Sequence, residues 1–306
     1  MPWKKQGLLV EPDPSLEWSQ QYAMMPTPIL WDEDRLRVFF GTTDREQRGH
    51  IAYVDLDARD PSRVLDRCRS PLLDPGDPGT FDDSGVVPSC YLRLGQVHYL
   101  YYVGFQRAER VPYMLFIGLA KSVDGGKTFQ RWGRTPLIER TRERPFSIAA
   151  PYVLPEARGL RMWYWFASRW IDVAGKAYMQ ASIGYAESTD PERWEMDPRV
   201  CVDVAGDEFT VGRPWVVATN TGYRMWYSKR SPSTSYRLGL AESADGTHWV
   251  RHDDRVGIDV SPMGWDSEMI CYPAELTVKG KTYLFYNGNG NGKTGFGYAE
   301  HVDRPL

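Results

Sequence analysis

The sequence lacks most of the features that would assign it quickly. Only four of its 306 residues are cysteine (Cys68, Cys90, Cys201 and Cys271), with no C-x-x-C pair and no metal-type spacing. That excludes a disulfide scaffold and a zinc module, and predicts free buried thiols in a reducing, cytoplasmic compartment. No apolar run approaches the roughly 18 residues that a membrane span needs. The N-terminal Met1-Pro2-Trp3-Lys4-Lys5 leads into no apolar signal core. A basic surplus is missing too: 37 Lys and Arg against 40 Asp and Glu give a formal net charge of −3, which offers nucleic acid no footprint. Long helical periodicity is absent. In its place stand 12 Trp, 18 Tyr and 11 Phe, with 28 Gly and 22 Pro. That composition favours many short strands joined by tight turns.

One phrase recurs along the chain. It runs apolar-Gly-x-Ala-x-Ser, then an Asp turn, then an aromatic: Ile117–Ser122 with Asp124-Gly125 and Phe129, Ile183–Ser188 with Asp190-Pro191 and Trp194, Leu238–Ser243 with Asp245-Gly246 and Trp249. A truncated copy, Phe296–Glu300, closes the chain, and a degenerate one, Ile51–Asp55, lies near its start. Each copy follows a proline that enters an alternating apolar run and then an aromatic strand. The prolines are Pro28, Pro88, Pro151, Pro214 and Pro273, at spacings of 60, 63, 63 and 59 residues. Four short antiparallel strands per unit describe a propeller blade. The expected fold is therefore all-β, a five-bladed β-propeller forming a single domain over residues 1–306. The fifth unit supplies only three strands, and Trp3–Val10 reads as the fourth, so the N-terminal strand should close the last blade and remove its free edge.

Several conspicuous motifs are framework. Ser122–Phe129 matches the Asp-box turn of sialidases and other propellers, in which the aspartate accepts backbone N–H groups. Asp124, Asp190 and Asp245 are expected to serve such turns. Glu187 and Glu242 recur with the repeat and read the same way. Gly288–Gly292 (Gly-Asn-Gly-Asn-Gly) precedes a strand rather than a helix, so it reads as a loop near the channel and not as a phosphate cradle. No metal or cofactor site is expected.

Chemistry is sought where units depart from the repeat, at the start of each innermost strand and in the loop after each aromatic strand. Acids occur before the prolines of the second, fourth and fifth units: Asp82 and Asp83, Glu208, and Glu268. Alternation places Asp83, Glu268, Arg213 and Tyr272 on equivalent faces, with Glu208 one residue out of register. The loops add His50, Arg169, Trp170, Lys229 and Asn287. Carboxylates, arginines, amides and aromatics around one pocket suit a sugar, with two carboxyls flanking a glycosidic bond. The expected catalytic residues are Asp83, Glu208 and Glu268. The expected substrate-binding residues are Asp82, Arg213, Tyr272, His50, Arg169, Trp170, Lys229 and Asn287.

Through its proline-anchored strands and its Gly-x-Ala-Glu-Ser…Asp-Gly…Trp phrase, the whole chain resembles the five-bladed propeller glycosidases. That superfamily includes arabinanases, β-xylosidases, invertases, levansucrases and mannoside phosphorylases. The resemblance implies a funnel at the channel mouth, with acids from the innermost strands and a carbohydrate or glycoconjugate as ligand. The chain departs from the pattern where those enzymes carry a first-blade aspartate, since it has Ala23 and Met24. It also reads Ala149-Ala150-Pro151 in place of their Arg-Asp-Pro. A divergent glycoside hydrolase is the leading expectation. A phosphorylase using Arg213, Arg169 and Lys229 for phosphate, or a non-catalytic glycan-binding or scaffolding propeller, are the alternatives.

Overall fold

A computed structural model describes residues 3–302. The chain is nearly all β. Strand β1 (Trp3–Val10) is followed by four antiparallel groups of four. The first is β2 (Gln21–Leu30), β3 (Arg35–Thr43), β4 (Gly49–Asp57) and β5 (Val64–Arg67). The second is β6 (Gly85–Leu94), β7 (Val97–Arg107), β8 (Tyr113–Ser122) and β9 (Gln130–Arg131). The third is β10 (Ile148–Glu156), β11 (Gly159–Val173), β12 (Lys176–Asp190) and β13 (Arg193–Val202). The fourth is β14 (Thr210–Thr219), β15 (Gly222–Arg230), β16 (Arg237–Ser243) and β17 (Val250–Arg251). Then come β18 (Cys271–Val278), β19 (Lys281–Asn287) and β20 (Phe296–His301), which β1 joins by pairing antiparallel with β20. The first and second groups touch edge to edge through a single parallel pair, Gly49 with Gly85, and the third and fourth through Ala181 with Thr210. The first strands of the groups follow one another in space. β2 packs against β6, β6 against β10, β10 against β14, β14 against β18, and β18 against β2. Among the described residues, no helix is long and apolar enough to cross a membrane.

The recurrent phrase has a packing cause. A Cβ on Gly118 would sit 2.1 Å from Cζ of Tyr102, and one on Gly239 would sit 2.2 Å from Cε2 of Tyr227. The glycine of the third strand exists to admit the tyrosine ring of the second. That tyrosine in turn anchors a carboxylate, buried for Asp82 and Asp266 and half-buried for Asp253. Tyr102 Oη donates to Asp82 at 2.8 Å, and Arg131 of β9 donates Nε to the same oxygen at 2.8 Å. Tyr227 donates to Asp253 at 2.5 Å, which Arg251 of β17 approaches at 2.6 Å. Tyr286 donates to Asp266 at 3.1 Å, which Lys5 of β1 approaches at 2.7 Å. In each case the cation comes from the fourth strand, so Lys5 places β1 as the fourth strand of the last group.

The cysteines are all free, three of them buried. Burial pushes the Cys90 and Cys201 thiols up to about 12, which keeps them protonated and unreactive.

Candidate functional site

Each first strand breaks its pairing at a bulge, and β2 also does so between Gln21 and Met24. Register shifts fall between Met24 and Thr27, Pro88 and Cys90, Ala149 and Tyr152, Gly212 and Trp215, and Cys271 and Ala274. In four of these the bulge is an X-Pro step: Met25-Pro26, Ala150-Pro151, Arg213-Pro214 and Tyr272-Pro273. The residue before proline is left-handed every time, with φ of 55°, 48°, 54° and 55°. The proline equivalent in the first group is thus Pro26 rather than Pro28. Non-glycine residues in this conformation are strained by roughly 1–3 kcal/mol each, and such strain gathers at functional sites. Bulges re-aim side chains there. Met25, Ala150, Arg213 and Tyr272 all turn into one cavity of about 510 Å³.

The cavity wall is aromatic and apolar. Tyr22, Phe105, Tyr113, Trp165, Tyr178, Phe209, Tyr236 and Tyr272 line it, with Met24, Met25 and Met179. Its polar lining comprises Thr43, Gln47, Ser84, Arg107, Thr210, Arg213, Ser228 and Asn291, and among the described residues no aspartate or glutamate. Burial raises the hydroxyls of Tyr113, Tyr236 and Tyr272 above the ordinary tyrosine value, so they are neutral hydrogen-bonding groups and not bases. Asn291, left-handed at φ 60°, keeps a buried Oδ1 with no partner. Beside the cavity, the Arg230 guanidinium lies 4.7, 5.6 and 5.2 Å from the ring centroids of Tyr178, Phe209 and Tyr236.

Arg213 is the one fully buried cation of the lining, 2 % exposed. Its Nη1 donates to the Pro273 carbonyl at 2.8 Å, and its Nη2 to the Pro26 carbonyl at 2.8 Å and Thr27 Oγ1 at 3.2 Å. Nε has no partner, and no carboxylate pairs with the group among the described residues. Desolvation lowers it to about 10, so it still carries its charge at neutral pH.

The three expected catalytic acids do not meet at this cavity. Asp83 caps its own turn, accepting from the Gly79 N–H at 2.9 Å and from Ser84 Oγ at 2.8 Å. Glu208 is held by both Nη groups of Arg251 at 2.7 Å, with Lys229 at 3.4 Å. Glu268 is exposed, and only its backbone is engaged, by Asn289 Oδ1 at 2.8 Å and Arg237 Nη1 at 3.0 Å. In the fourth and fifth groups the X-Pro bulge turns Arg213 and Tyr272 to the cavity, while Asp83, Glu208 and Glu268 precede the first residues of β6, β14 and β18 and fall in the entry turns.

Of the expected binding residues, Arg213 and Tyr272 line the cavity, and the others do not. Asp82 belongs to the Tyr102–Arg131 cluster. His50 stands between Asp74 at 2.9 Å and Asp44 at 3.5 Å. Arg169 donates to Gln180 Oε1 at 2.6 Å across the β11–β12 hairpin. Trp170 is one step removed, its ring 5.9 Å from that of Tyr113. Lys229 pairs with Asp253 at 2.9 Å. Asn287 is a latch between strands: its Oδ1 accepts from the Met25 N–H and its Nδ2 donates to the Ala23 carbonyl, both at 2.7 Å. Sequence reasoning missed the aromatic wall and Asn291. The signal was available in the X-Pro steps, which mark the cavity in four of the five groups. Among the described residues, no group of three His, Cys, Asp or Glu side chains could hold a metal ion.

No protein-family model matches the chain. Similar solved structures are glycoside hydrolases of propeller-type families, at identities that speak to the fold alone. One, a glycosyl hydrolase from Bacteroides ovatus, has a TM-score of 0.73 and 13 % identity, covering 99 % of this chain and 95 % of its own. A second, from work on GH130 mannoside phosphorylases and glycoside hydrolases that target β-1,2 mannosidic linkages in Candida mannan, has a TM-score of 0.71 and 14 % identity, covering 99 % and 95 %. In sequence, the uncharacterized protein Rv1502 of Mycobacterium tuberculosis is 37 % identical over 300 residues, covering 98 % of this chain and 99 % of its own. On a fold shared with propeller-type glycoside hydrolases, the chain belongs to the family of Rv1502.

Proposed function

We propose that the chain is a single five-bladed propeller domain that binds a carbohydrate or glycoconjugate at its channel mouth without cleaving it by a carboxylate pair. The closed cycle of first strands, β2 to β6, β10, β14, β18 and back to β2, supports the blade count. Free, buried cysteines support a cytoplasmic setting. The observation that carries the functional reading is the cavity lining: among the described residues, eight aromatic side chains and no carboxylate. Aromatic faces stack on sugar C–H surfaces, and the amide and hydroxyl groups of Gln47, Asn291, Ser84 and Thr210 can take up sugar hydroxyls. Glycoside hydrolysis ordinarily needs two carboxyls at about 5–9.5 Å across the scissile bond. The three candidate acids are held in a turn, in an ion cluster and at an exposed position instead.

Hydrolysis keeps one supporting observation, the exposed carboxylate of Glu268, which has no ion pair among the described residues. The two readings separate in one experiment. Glycan binding is measured by array and calorimetry, and the same glycans are followed for cleavage with and without inorganic phosphate. Binding that Trp165→Ala weakens by roughly tenfold or more, with no turnover, is expected. Turnover that Glu268→Gln lowers by about 10²-fold would establish the hydrolase in its place. Cleavage only with phosphate would establish a phosphorylase.

A further inference from the structure

We infer that the ligand of this cavity is a singly anionic sugar, a uronic acid or another carboxylate-bearing residue, selected by the charge of Arg213. The inference rests on the glycan-binding reading and adds the ligand class to it. Four features carry it. Arg213 is buried and has no carboxylate partner among the described residues. A guanidinium has five N–H donors, and Arg213 directs three of them to Pro273, Pro26 and Thr27. The Nε–H is left without a partner. Buried charges in proteins are ordinarily paired, because an isolated one is costly in a low dielectric.

Among the described residues the rest of the lining adds no negative charge to offset it. There Arg107 spends its Nη2 on the carbonyls of Glu46 and Gln47 and makes no ion pair, and Arg230 is enclosed by aromatic rings without one. The described lining therefore carries two guanidinium groups and no carboxylate. A neutral sugar leaves the buried Arg213 without a counter-charge, whereas a carboxylate held in the cavity supplies it.

The count of cations favours one negative charge over two. A phosphate group calls for several converging donors of positive charge. Here a single cation is buried in the wall, Arg230 is occupied by its rings, and Lys229 is neutralised by Asp253 and Glu208. Arg213 also explains its own backbone. The left-handed bulge at φ 54° carries its guanidinium to the Pro26 and Pro273 carbonyls and over the ring of Trp215, 4.9 Å from its centroid.

The test uses the full chain and acidic oligosaccharides containing glucuronic or galacturonic acid, each beside its carboxyl-reduced counterpart. Calorimetry should show binding of an acidic glycan and a loss of roughly tenfold or more on reduction of its carboxyl. Arg213→Gln should abolish that difference and Arg213→Lys should keep part of it, with thermal midpoints recorded for both variants. Because Arg213 also joins strands, the wild-type comparison of each acid with its reduced form decides the matter if the variants do not fold. Equal binding of both forms overturns the anionic ligand and leaves the glycan reading standing. Displacement by inorganic phosphate or a sugar phosphate at lower concentration than by the uronate overturns the singly charged ligand. Binding of no glycan, acidic or neutral, overturns the glycan reading and this inference with it.

Discussion

Asp245 accepts the backbone N–H groups of His248 and Thr247 at 2.8 Å each, and Asp124 accepts those of Lys127 and Thr128 at 3.0 and 3.1 Å. The hydrogen bond from His248 at Asp245, and that from Ser122 at Asp124, lead the interactions that hold both carboxyls below their ordinary value. A depressed folded-state value means the turns contribute fully at pH above the unfolded aspartate value of about 3.9. The contribution is lost as pH falls through the lower folded value. Asp245→Asn should therefore lower the thermal midpoint at pH 7. The gap to wild type should narrow steadily below pH 4, as a series of melting curves would register. A gap that widens in acid would contradict this account of the turn. At the same scale, Asp82 shows how a carboxylate singled out for chemistry can be structural: a tyrosine and an arginine already claim it.

Within a strand group, the glycine-for-tyrosine fit is the repeated unit of packing. Gly118→Ala would drive a methyl into the ring of Tyr102, and overpacking of this kind costs about 1–3 kcal/mol. Urea titration should show a lower midpoint with an unchanged slope. Strand β1 makes a second test. It covers the edge of β20 and brings Lys5 to Asp266. Removing residues 1–10 would bare that edge and leave Asp266, 2 % exposed, without its cation. A loss of several kcal/mol is expected. A truncated chain melting within a degree or two of the full one would refute the role of β1.

Across the whole molecule, strand groups distant in sequence are tied by buried side chains. Asn287 of β19 holds the backbone of β2, and Arg213 of β14 joins the carbonyls of Pro26 and Pro273. Asn287→Ala would strand the Met25 N–H and the Ala23 carbonyl, both buried, at a cost of about 1–3 kcal/mol for each unpaired group. Equilibrium unfolding would measure this loss. Because Met25 lines the cavity, glycan affinity should fall with it. An Asn287→Ala protein as stable as wild type would place the closure elsewhere.

The sequence by itself determined the all-β class, the repeat, the strand order within each unit and the pairing of Trp3–Val10 with the last strands. Those features follow from local periodicity and from a phrase that every unit must satisfy to seat its tyrosine against a glycine. It also pointed to Arg213 and Tyr272, because both precede a proline. The tertiary structure alone decided which side chains share a cavity. A bulge inserts one residue and reverses which side chains face inward, and a period-two reading cannot register that shift. The same limit applies to Asp82, Asp83 and Glu208. Their partners Arg131, Gly79 and Arg251 stand 49, 4 and 43 residues away in the chain, and only folding brings the distant ones near enough to take up a carboxylate's charge.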